Sequence, residues 1–314
     1  MVKISILIPT YNRANSIPAT LQCLLNQTTT SKFDYEVMII DNNSTDSTKM
    51  AVQSCFPLFS RRFKYYFEAK QGRMHALNFG IKKAIGDIIV CLDDDCSVEK
   101  DYVLNIYNEF DREGGVGFIG GKILPLWIGE RIPEWFNEFL PGNPQRRNNP
   151  DGINEFFCGP LGILDYGDQA FIIEPNPGGE YPKLFYGANI SFRKWVFDRF
   201  GDFSSNSLLV EDTEMCQRLL NSGVRALYSP NIKVFHKIST DKIGPDYYYQ
   251  WYFTKGMRRE NIEPIDAKFR SDSWNMFQQS FSEKTMKAMI HNRCQALFNF
   301  GQMISHGTMN GDQK

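Results

Sequence analysis

The chain has 314 residues, a formal net charge of −1 and seven cysteines. That length allows one large domain, or one domain with an appendage. The lack of a basic excess argues against a nucleic-acid-binding surface, so no nucleic acid is expected as a partner. No apolar run approaches the roughly 18 residues of a membrane-spanning helix, and no signal-peptide core follows a basic start. We therefore expect a cytoplasmic protein, and the odd cysteine count without a Cys-x-x-Cys pair agrees with that expectation.

Strands and helices are predicted to alternate over the first 125 residues. Apolar runs predict strands over 4–8, 35–40, 63–67 and 88–92, with another near Phe118. Helical spacing predicts helices that begin near Ile17, Ser44, Met74 and Glu99. Such alternation implies an α/β fold with a mostly parallel central sheet flanked by helices. Ligands of such sheets bind beyond the carboxyl ends of the strands.

The later part of the chain is less regular. From about Trp127 to Tyr186 the periodicity gives way to proline, glycine, asparagine and aromatic residues, which predicts an ordered insertion. Helices over 193–199 and 212–221 and short strands over 225–228 and 233–235 are expected next. Beyond His236 the pattern predicts a C-terminal helical extension.

The most informative motif is Asp93-Asp94-Asp95, which follows the apolar run 88–92. Three adjacent carboxylates repel one another, and at a strand end they suit a cation or the hydroxyls of a bound sugar. Hard oxygen ligands favour Mg²⁺ or Mn²⁺, the usual partners of a diphosphate. The alternative is a turn whose carboxylates face water and cap the next helix. Asp41 also lies at a strand end, which favours one shared site.

Seven short motifs together resemble family 2 glycosyltransferases. Four resemble the nucleotide half of that family: Pro-Thr-Tyr-Asn-Arg at 9–13, Asp-Asn-Asn-Ser-Thr-Asp at 41–46, Gly72-Arg73 with Asn78 and Gly80, and the acidic triplet at 93–95. Three resemble the acceptor half: Gly-Ala-Asn-Ile-Ser-Phe-Arg at 187–193, Glu211-Asp212, and Tyr228-Ser229-Pro230 with His236. They keep the family's order and spacing over about residues 1–240.

The resemblance implies an A-type glycosyltransferase fold and the transfer of a glycosyl group, such as a hexosyl group, from a nucleotide-sugar donor. It divides the chain into three parts. Residues 1–125 would be the nucleotide-sugar-binding half, 126–240 the acceptor-binding and catalytic half of the same domain, and 241–314 the helical extension.

The resemblance also assigns a donor site. Thr10 and Tyr11 would line the base pocket, Arg73 would lie near the base or the diphosphate, and Asp94 would face the ribose. A carboxylate at Asp41 suits the imide N–H of uracil or thymine, so a UDP-sugar is expected. The alternative for Asp41 is the start of an Asx turn into Ser44. The nucleotide-sugar-binding set is Pro9, Thr10, Tyr11, Arg13, Asp41, Arg73, Asp93 and Asp94.

Metal and catalytic roles follow from the same resemblance. Asp95 and His236 would bind Mg²⁺ or Mn²⁺, which neutralises charge on the departing nucleoside diphosphate. Asp212 would take the proton of the acceptor hydroxyl, and Glu211 would hydrogen-bond the acceptor. A single in-line displacement of this kind inverts the anomeric centre. The alternatives are acidic residues that complement a helix dipole and a histidine with a structural role.

Aromatic residues suggest further contacts. Trp135 and Tyr166 are candidates for stacking on the acceptor sugar, and core packing is an equal alternative for each. Their segments resemble those of bacterial cell-surface polysaccharide transferases, so we expect a glycan or lipid-linked acceptor and a role in surface polysaccharide synthesis. An aromatic-basic segment, Tyr247–Phe253 with Lys255, Arg258 and Arg259, predicts either peripheral contact with the inner face of a membrane or packing on its own domain.

Two other functions remain as alternatives. A sugar nucleotidyltransferase also uses carboxylates and a metal, but it normally carries a glycine-rich loop with Arg and Lys where this chain has the motif at 9–13. A catalytically inactive nucleotide-sugar-binding protein is the other alternative. The joint presence of Asp95, Asp212 and His236 argues against it.

Overall fold

A computed structural model describes residues 2–129, 131–141, 143, 153–178, 181, 183–204, 211–258, 267–283 and 286–311. The chain divides into two compact units. Unit 1 comprises Met1–Leu126 and Gly162–Lys237, and unit 2 comprises Trp127–Leu161 and Ile238–Lys314. These units are defined by which residues lie close together in space, not by function. The division by function at residues 125 and 240 stays a prediction.

The strands form one mixed sheet in the order β3-β2-β1-β4-β8-β6-β9-β5, with β7 beside β9. Their bounds are β1 Val2–Thr10, β2 Asp34–Asp41, β3 Phe63–Phe67, β4 Ile88–Leu92, β5 Cys96–Val98, β6 Val116–Ile128, β7 Phe171–Ile173, β8 Asn189–Arg193 and β9 Arg225–Ser239. Strands β1 to β4 pair in parallel, whereas β8 and β9 add antiparallel pairs. The predicted α/β class is confirmed, with the parallel part confined to the first 92 residues.

The helices are α1 Ile17–Cys23, α2 Thr48–Phe59, α3 Arg73–Lys83, α4 Tyr102–Arg112, α5 Ile153–Cys158, α6 Trp195–Phe200, α7 Glu211–Asn221, α8 Pro245–Arg258, α9 Ala267–Gln279 and α10 Met286–Gly311. In unit 1, β1 buries apolar side chains on both faces, which explains its near-continuous apolar run. Helix α4 buries Val103, Ile106 and Phe110, the three- and four-residue spacing of one helical face.

Several elements differ from their predictions, and strands β7 and β8 were not predicted. The short strands expected at 225–228 and 233–235 form one strand, β9, which contains Pro230. It stays continuous because residues 226–228 pair with β7 and residues 234–236 pair with β5. Strand β5 was not predicted, since three residues carry no usable period.

Unit 2 contains α5, α8, α9 and α10. Helices α8 and α10 approach closely at two glycines. A Cβ on Gly256 would lie 2.0 Å from the carbonyl oxygen of Phe298, and one on Gly301 would lie 2.4 Å from that of Phe253. The predicted C-terminal extension is helical, since it contains α8, α9 and α10. Among the described residues, no helix is both long and apolar enough to cross a membrane.

Candidate active site

The predicted donor residues meet at the carboxyl ends of β1, β2 and β4. Thr10 and Asp41 end their strands in register with each other. Beyond β4 the acidic triplet forms a tight turn, closed by the Cys96 N–H, which donates to the Asp93 carbonyl at 3.4 Å. Three strand ends thus converge where ligands of parallel sheets bind.

Asp94 is held in a buried network. Thr10 Oγ1 donates to Asp94 Oδ2 at 2.6 Å, and Arg13 Nε lies 3.3 Å from Asp94 Oδ1. Thr20, which was not predicted, donates its hydroxyl to the Asp94 carbonyl at 2.9 Å. Burial raises the pKa of Asp94 to about 6, although the Thr10 hydrogen bond and Arg13 oppose it. The arrangement fixes this carboxylate before any ligand binds.

Asn12 organises the loop after β1. Its φ of 54° is left-handed, a conformation that asparagine tolerates better than most residues. Asn12 Oδ1 accepts hydrogen bonds from the Thr45 N–H at 2.8 Å and the Asp46 N–H at 3.3 Å. Tyr11 remains 46% exposed beside it. The loops at 9–13 and 41–46 thus form one surface, and Asn12 is a structural part of it that was not assigned a role from sequence.

Asp41 is satisfied within the protein. It is 2% exposed, its Oδ1 accepts from the Ser44 N–H at 2.9 Å, and its Oδ2 accepts from the Tyr65 hydroxyl at 2.7 Å. The Asx-type turn that was the alternative interpretation is therefore present. Ionised carboxylate oxygens have further lone pairs. The assignment of Asp41 to the nucleotide base stays a prediction.

Asp95 and His236 lie side by side. His236 Nε2 is 3.2 Å from Asp95 Oδ1, because the pairing of β5 with β9 aligns Cys96 with His236. Arg13 Nη2 approaches Asp95 Oδ2 at 3.5 Å. Carboxylate oxygen suits Mg²⁺ or Mn²⁺, and imidazole is a common metal ligand.

These two side chains fit a metal ion whose other ligands are supplied by the substrate and water. Within the described part of the chain, no group of three or more His, Cys, Asp or Glu residues is arranged around a metal position. Mg²⁺ usually takes only one or two protein carboxylates and completes its shell with phosphates and water. Asp95 and His236 would therefore hold the ion together with the donor diphosphate.

Arg73 connects the acidic triplet to Asp212. Its Nη2 donates to Asp93 Oδ1 at 2.8 Å. A Cβ built on Gly187 would lie 2.6 Å from Arg73 Nη2 and 3.0 Å from Asp212 Oδ2, so both groups crowd one face of that glycine. Burial alone would lower the pKa of Arg73, but Asp93 and Asp212 outweigh it and raise that pKa. The four residues form one site that joins both predicted halves.

Asp212 lies in the first turn of α7 in a buried position. It is 7% exposed, and its two carboxylate oxygens accept hydrogen bonds from the N–H groups of Gly187 and Thr213. Burial raises its pKa, and Arg73 acts in the opposite direction. A buried carboxylate with a raised pKa is suited to proton transfer. The side chain of the neighbouring Glu211 lies outside the described part of the structure.

The predicted aromatic contacts lie in packed surroundings. In unit 2, half-buried Trp135 packs edge-on against Phe136 and Phe157, with ring centroids 5.6 and 5.7 Å apart. In unit 1, Tyr166 packs 5.4 Å from the Tyr228 ring and donates its hydroxyl to the Leu184 carbonyl at 2.7 Å. Both positions agree with the packing alternative. Acceptor contact stays a prediction for each.

The aromatic-basic segment lies on α8. The hydroxyls of Tyr248 and Tyr252 donate to the carbonyls of Phe157 and Phe156, at 2.9 and 2.8 Å, inside unit 2. Lys255 Nζ lies 4.6 Å from the centre of the Trp251 ring. The Arg258 side chain and all of Arg259 lie outside the described residues. Tyr248 and Tyr252 thus pack within their own unit.

Comparison with known proteins identifies the family of this chain. The model of the family described as "Glycosyl transferase family 2" matches residues 5–163. A curated relative from Haloferax volcanii, named glucosyl-dolichyl phosphate glucuronosyltransferase, is 23% identical over 255 residues, which cover 76% of this chain and 70% of the relative. The chain spans about half or less of several other curated relatives.

Two solved structures share the fold. The mannosyltransferase PcManGT from Pyrobaculum calidifontis, in complex with GDP-Man and Mn²⁺, has a TM-score of 0.53 at 18% identity and covers 98% of this chain and 74% of its own. S. aureus TarS 1–349 in complex with UDP has a TM-score of 0.52 at 15% identity and covers 99% and 92%. Similarity at these identities shows the A-type fold alone.

The family match covers just over half of the chain and contains the donor motifs, the acidic triplet and Arg73. It favours glycosyl transfer over the sugar nucleotidyltransferase alternative. The chain belongs to glycosyl transferase family 2 and is a glycosyltransferase.

Proposed function

We propose that this glycosyltransferase transfers a sugar from a UDP-sugar to a hydroxyl of a lipid-linked glycan, with inversion and with the help of Mg²⁺ or Mn²⁺. The observation that carries the proposal is the link from Asp93 through Arg73 to Asp212. It joins a donor-side carboxylate to a buried carboxylate that is suited to act as a base. A displacement at an anomeric carbon needs the donor on one side of that carbon and a base for the incoming hydroxyl on the other, and this pair could serve those two sides.

The preference for UDP rests on Asp41. Its carboxylate lies at the end of β2, next to the loop that contains Tyr11. A carboxylate accepts the imide N–H of uracil and repels a carbonyl edge. The two solved structures hold different nucleotides, GDP-Man and UDP, so the shared fold is compatible with either. The identity of the nucleotide base, uracil, is therefore inferred from the Asp41 side chain.

Metal dependence is supported by the Asp95–His236 pair and by the Mn²⁺ in the mannosyltransferase complex. When bound, the ion would neutralise negative charge on the diphosphate leaving group. Asp95 and His236 would hold it. Arg13, which contacts both Asp94 and Asp95, would offset the repulsion between these two carboxylates.

The transfer itself needs one base and one displacement. An oxygen of Asp212 takes the proton of the acceptor hydroxyl while that hydroxyl oxygen forms a bond to the anomeric carbon. The bond from that carbon to the diphosphate oxygen breaks, and UDP leaves with the bonding electrons. Because the nucleophile enters opposite the leaving group, the anomeric configuration inverts.

The acceptor class is proposed from a relative. The name of the Haloferax volcanii relative contains a glucosyl-dolichyl phosphate, which is a lipid-linked sugar. We therefore place this enzyme at the inner face of a membrane in surface polysaccharide synthesis. Peripheral contact would involve Lys255, whose Nζ lies 4.6 Å from the centre of the Trp251 ring, because Tyr248 and Tyr252 are engaged in unit 2.

A transfer assay tests the proposal. The purified full chain would be incubated with labelled UDP-sugars and with GDP-mannose, each with Mn²⁺ or EDTA. Acceptors would be a polyprenyl-phosphate-linked sugar and the same sugar as a methyl glycoside. We expect Mn²⁺-dependent transfer from a UDP-sugar, preferentially to the lipid-linked acceptor. Proton NMR of the product should show the inverted anomer. Transfer that persists in EDTA, or a retained anomer, would contradict the mechanism.

A further inference from the structure

Arg73 is positioned to act on Asp212, the proposed catalytic base, as well as on the nucleotide-sugar donor. The residue begins α3, its guanidinium donates to Asp93, and its side chain is 34% exposed. Its Nη2 and Asp212 Oδ2 both lie within 3.0 Å of the point where a Gly187 Cβ would be. A side chain at Gly187 would collide with both the guanidinium and the carboxylate, so glycine leaves room for the two groups on the same face.

The charged and titratable groups around Asp212 come from three elements. Arg73 of α3 is the cation, and Asp93 after β4 is an anion. Cys91 of β4 and Cys216 of α7 are buried thiols, and burial raises the pKa of each, that of Cys91 to about 12. Both thiols are therefore neutral at physiological pH. Among these groups, Arg73 alone favours the charged form of Asp212.

A base of this kind has conflicting requirements. It must be ionised to accept a proton, but Asp212 is 7% exposed and burial favours its neutral form. A nearby opposite charge typically lowers a carboxyl pKa by about 1 to 3. The N–H groups of Gly187 and Thr213 add hydrogen bonds to the charged form. Removal of the guanidinium would leave burial and Asp93 acting together against ionisation.

We propose that Arg73 is a positioning residue that keeps the Asp212 carboxylate ionised and directed at Gly187, while Asp93 holds the guanidinium in place. The inference rests on the proposed function where it takes Asp212 as the base. It assigns to Arg73 a task beyond contact with the nucleotide. Glycosyl transfer at neutral pH then depends on a residue that need not touch the acceptor.

Two titrations on the same proteins test this proposal. Carbon-13 NMR of aspartate-labelled protein would follow the Asp212 carboxyl directly, with Asp212→Asn to assign the signal. The pH dependence of kcat/KM for transfer would be measured in parallel. The proteins are the wild type, Arg73→Gln, Arg73→Lys and the control Lys82→Gln. Lys82 lies on the same helix, and its side chain is 70% exposed.

Arg73→Gln should raise the Asp212 titration midpoint by about one pH unit or more, and the acid limb of the rate profile should move with it. Transfer should recover at alkaline pH. Arg73→Lys should move both by less, and Lys82→Gln should move neither and should leave UDP affinity unchanged. Gly187→Ala, which displaces the guanidinium without removing it, should also raise the midpoint and serves if Arg73→Gln does not fold.

An unchanged Asp212 midpoint in both Arg73→Gln and Gly187→Ala would overturn the proposal. So would an unchanged acid limb with a large loss of UDP affinity, since Arg73 would then be a donor contact only. If the midpoint moves but the wild type transfers no sugar at any pH, the Arg73–Asp212 coupling stands and the proposed function fails. The NMR titration thus separates the two failures.

Discussion

The sequence offered both acidic residues and the aromatic residue Trp135 as candidates for ligand contact, and the structure places them in different surroundings. The acidic edge of unit 1, defined as Asp93, Asp94, Asp95 and Asp212, brings like charges together in partly or fully buried positions. The aromatic cluster of unit 2, defined as Trp135, Phe136, Phe139, Phe157 and Tyr248, fills a core. Within that cluster the Phe139 and Phe157 rings stack with centroids 4.4 Å apart.

The difference lies in what each group does for stability. Aromatic rings that pack together bury apolar area and stabilise the fold, so no ligand is needed to explain them. Buried carboxylates are unfavourable unless they are paired, and one guanidinium serves both Asp93 and Asp212. Crowded charge therefore indicates function more strongly than clustered aromatics do. Each prediction below tests one side of this contrast.

The largest effect is expected at Asp212. Asp212→Asn keeps the shape and can still accept the Gly187 N–H, but it cannot take a proton. We expect kcat to fall by about 100- to 10,000-fold, the usual contribution of a general base. UDP binding should persist. Steady-state transfer kinetics and calorimetry would measure both, with Asp198→Asn as an exposed control on α6. Near-normal turnover in Asp212→Asn would remove Asp212 from the mechanism.

The metal pair comes next. His236→Ala and Asp95→Asn should each weaken Mn²⁺-dependent UDP binding by about 10- to 100-fold, because each removes one proposed ligand. Calorimetric titration of UDP in Mn²⁺ and in EDTA measures the loss. His291→Ala, which alters a histidine of α10 in unit 2, is the control. Equal UDP affinity in all variants would leave the Asp95–His236 contact as a structural ion pair.

Gly187→Ala tests how tightly the acidic edge is arranged. The new methyl carbon would lie 2.6 Å from Arg73 Nη2, the end of a flexible side chain that can move away. The Tm should change little, but a misplacement of about 1 Å in the site should lower kcat/KM by roughly 10- to 100-fold. Thermal melts and transfer kinetics on one preparation would show both. A large fall in Tm with unchanged kcat/KM per folded enzyme would show instead that Gly187 is needed for stability and not for the arrangement of the acidic edge.

The aromatic cluster should respond in the opposite way. Trp135→Ala should lower the free energy of unfolding by about 2 kcal/mol, below the usual cost for a fully buried tryptophan because Trp135 is half-buried. Trp195→Ala, at a more exposed tryptophan of α6, should cost less. Urea melts give both values. A raised acceptor KM with unchanged stability would instead favour sugar stacking by Trp135.

The smallest effect is a pH dependence of stability. The folded state raises the pKa of Asp212 through burial, so it holds a proton at pH values where the unfolded chain has released it. Wild-type stability therefore falls as the pH rises from 3.8, the ordinary value, through the raised folded value. Asp212→Asn lacks this loss, and its Tm advantage should grow across that window and then level off. A constant Tm difference from pH 4 to 8 would argue against a raised pKa.

Sequence patterns predicted the elements that carry the acidic edge better than the contacts between them. The apolar run before Asp93 required a buried strand, and the parallel arrangement placed its end beside Thr10 and Asp41. The proximity of Arg73 and Asp212 at Gly187 was not predictable, because the two residues lie on different helices, α3 and α7, that are far apart in the sequence. The packing of Trp135 and Tyr166 was equally hidden, since aromatic residues have the same local pattern in a core and in a sugar site.

The central claim is that the acidic edge is a metal-dependent site for a uridine nucleotide. The most direct measurement is a thermal-shift panel of UDP, GDP, dTDP and CDP, each with Mn²⁺ and with EDTA. A ligand that binds only the folded state raises the Tm by mass action. We predict a shift with UDP that requires Mn²⁺ and exceeds the shift with any other nucleotide. No shift with any nucleotide, or an equal UDP shift in EDTA, would contradict the claim.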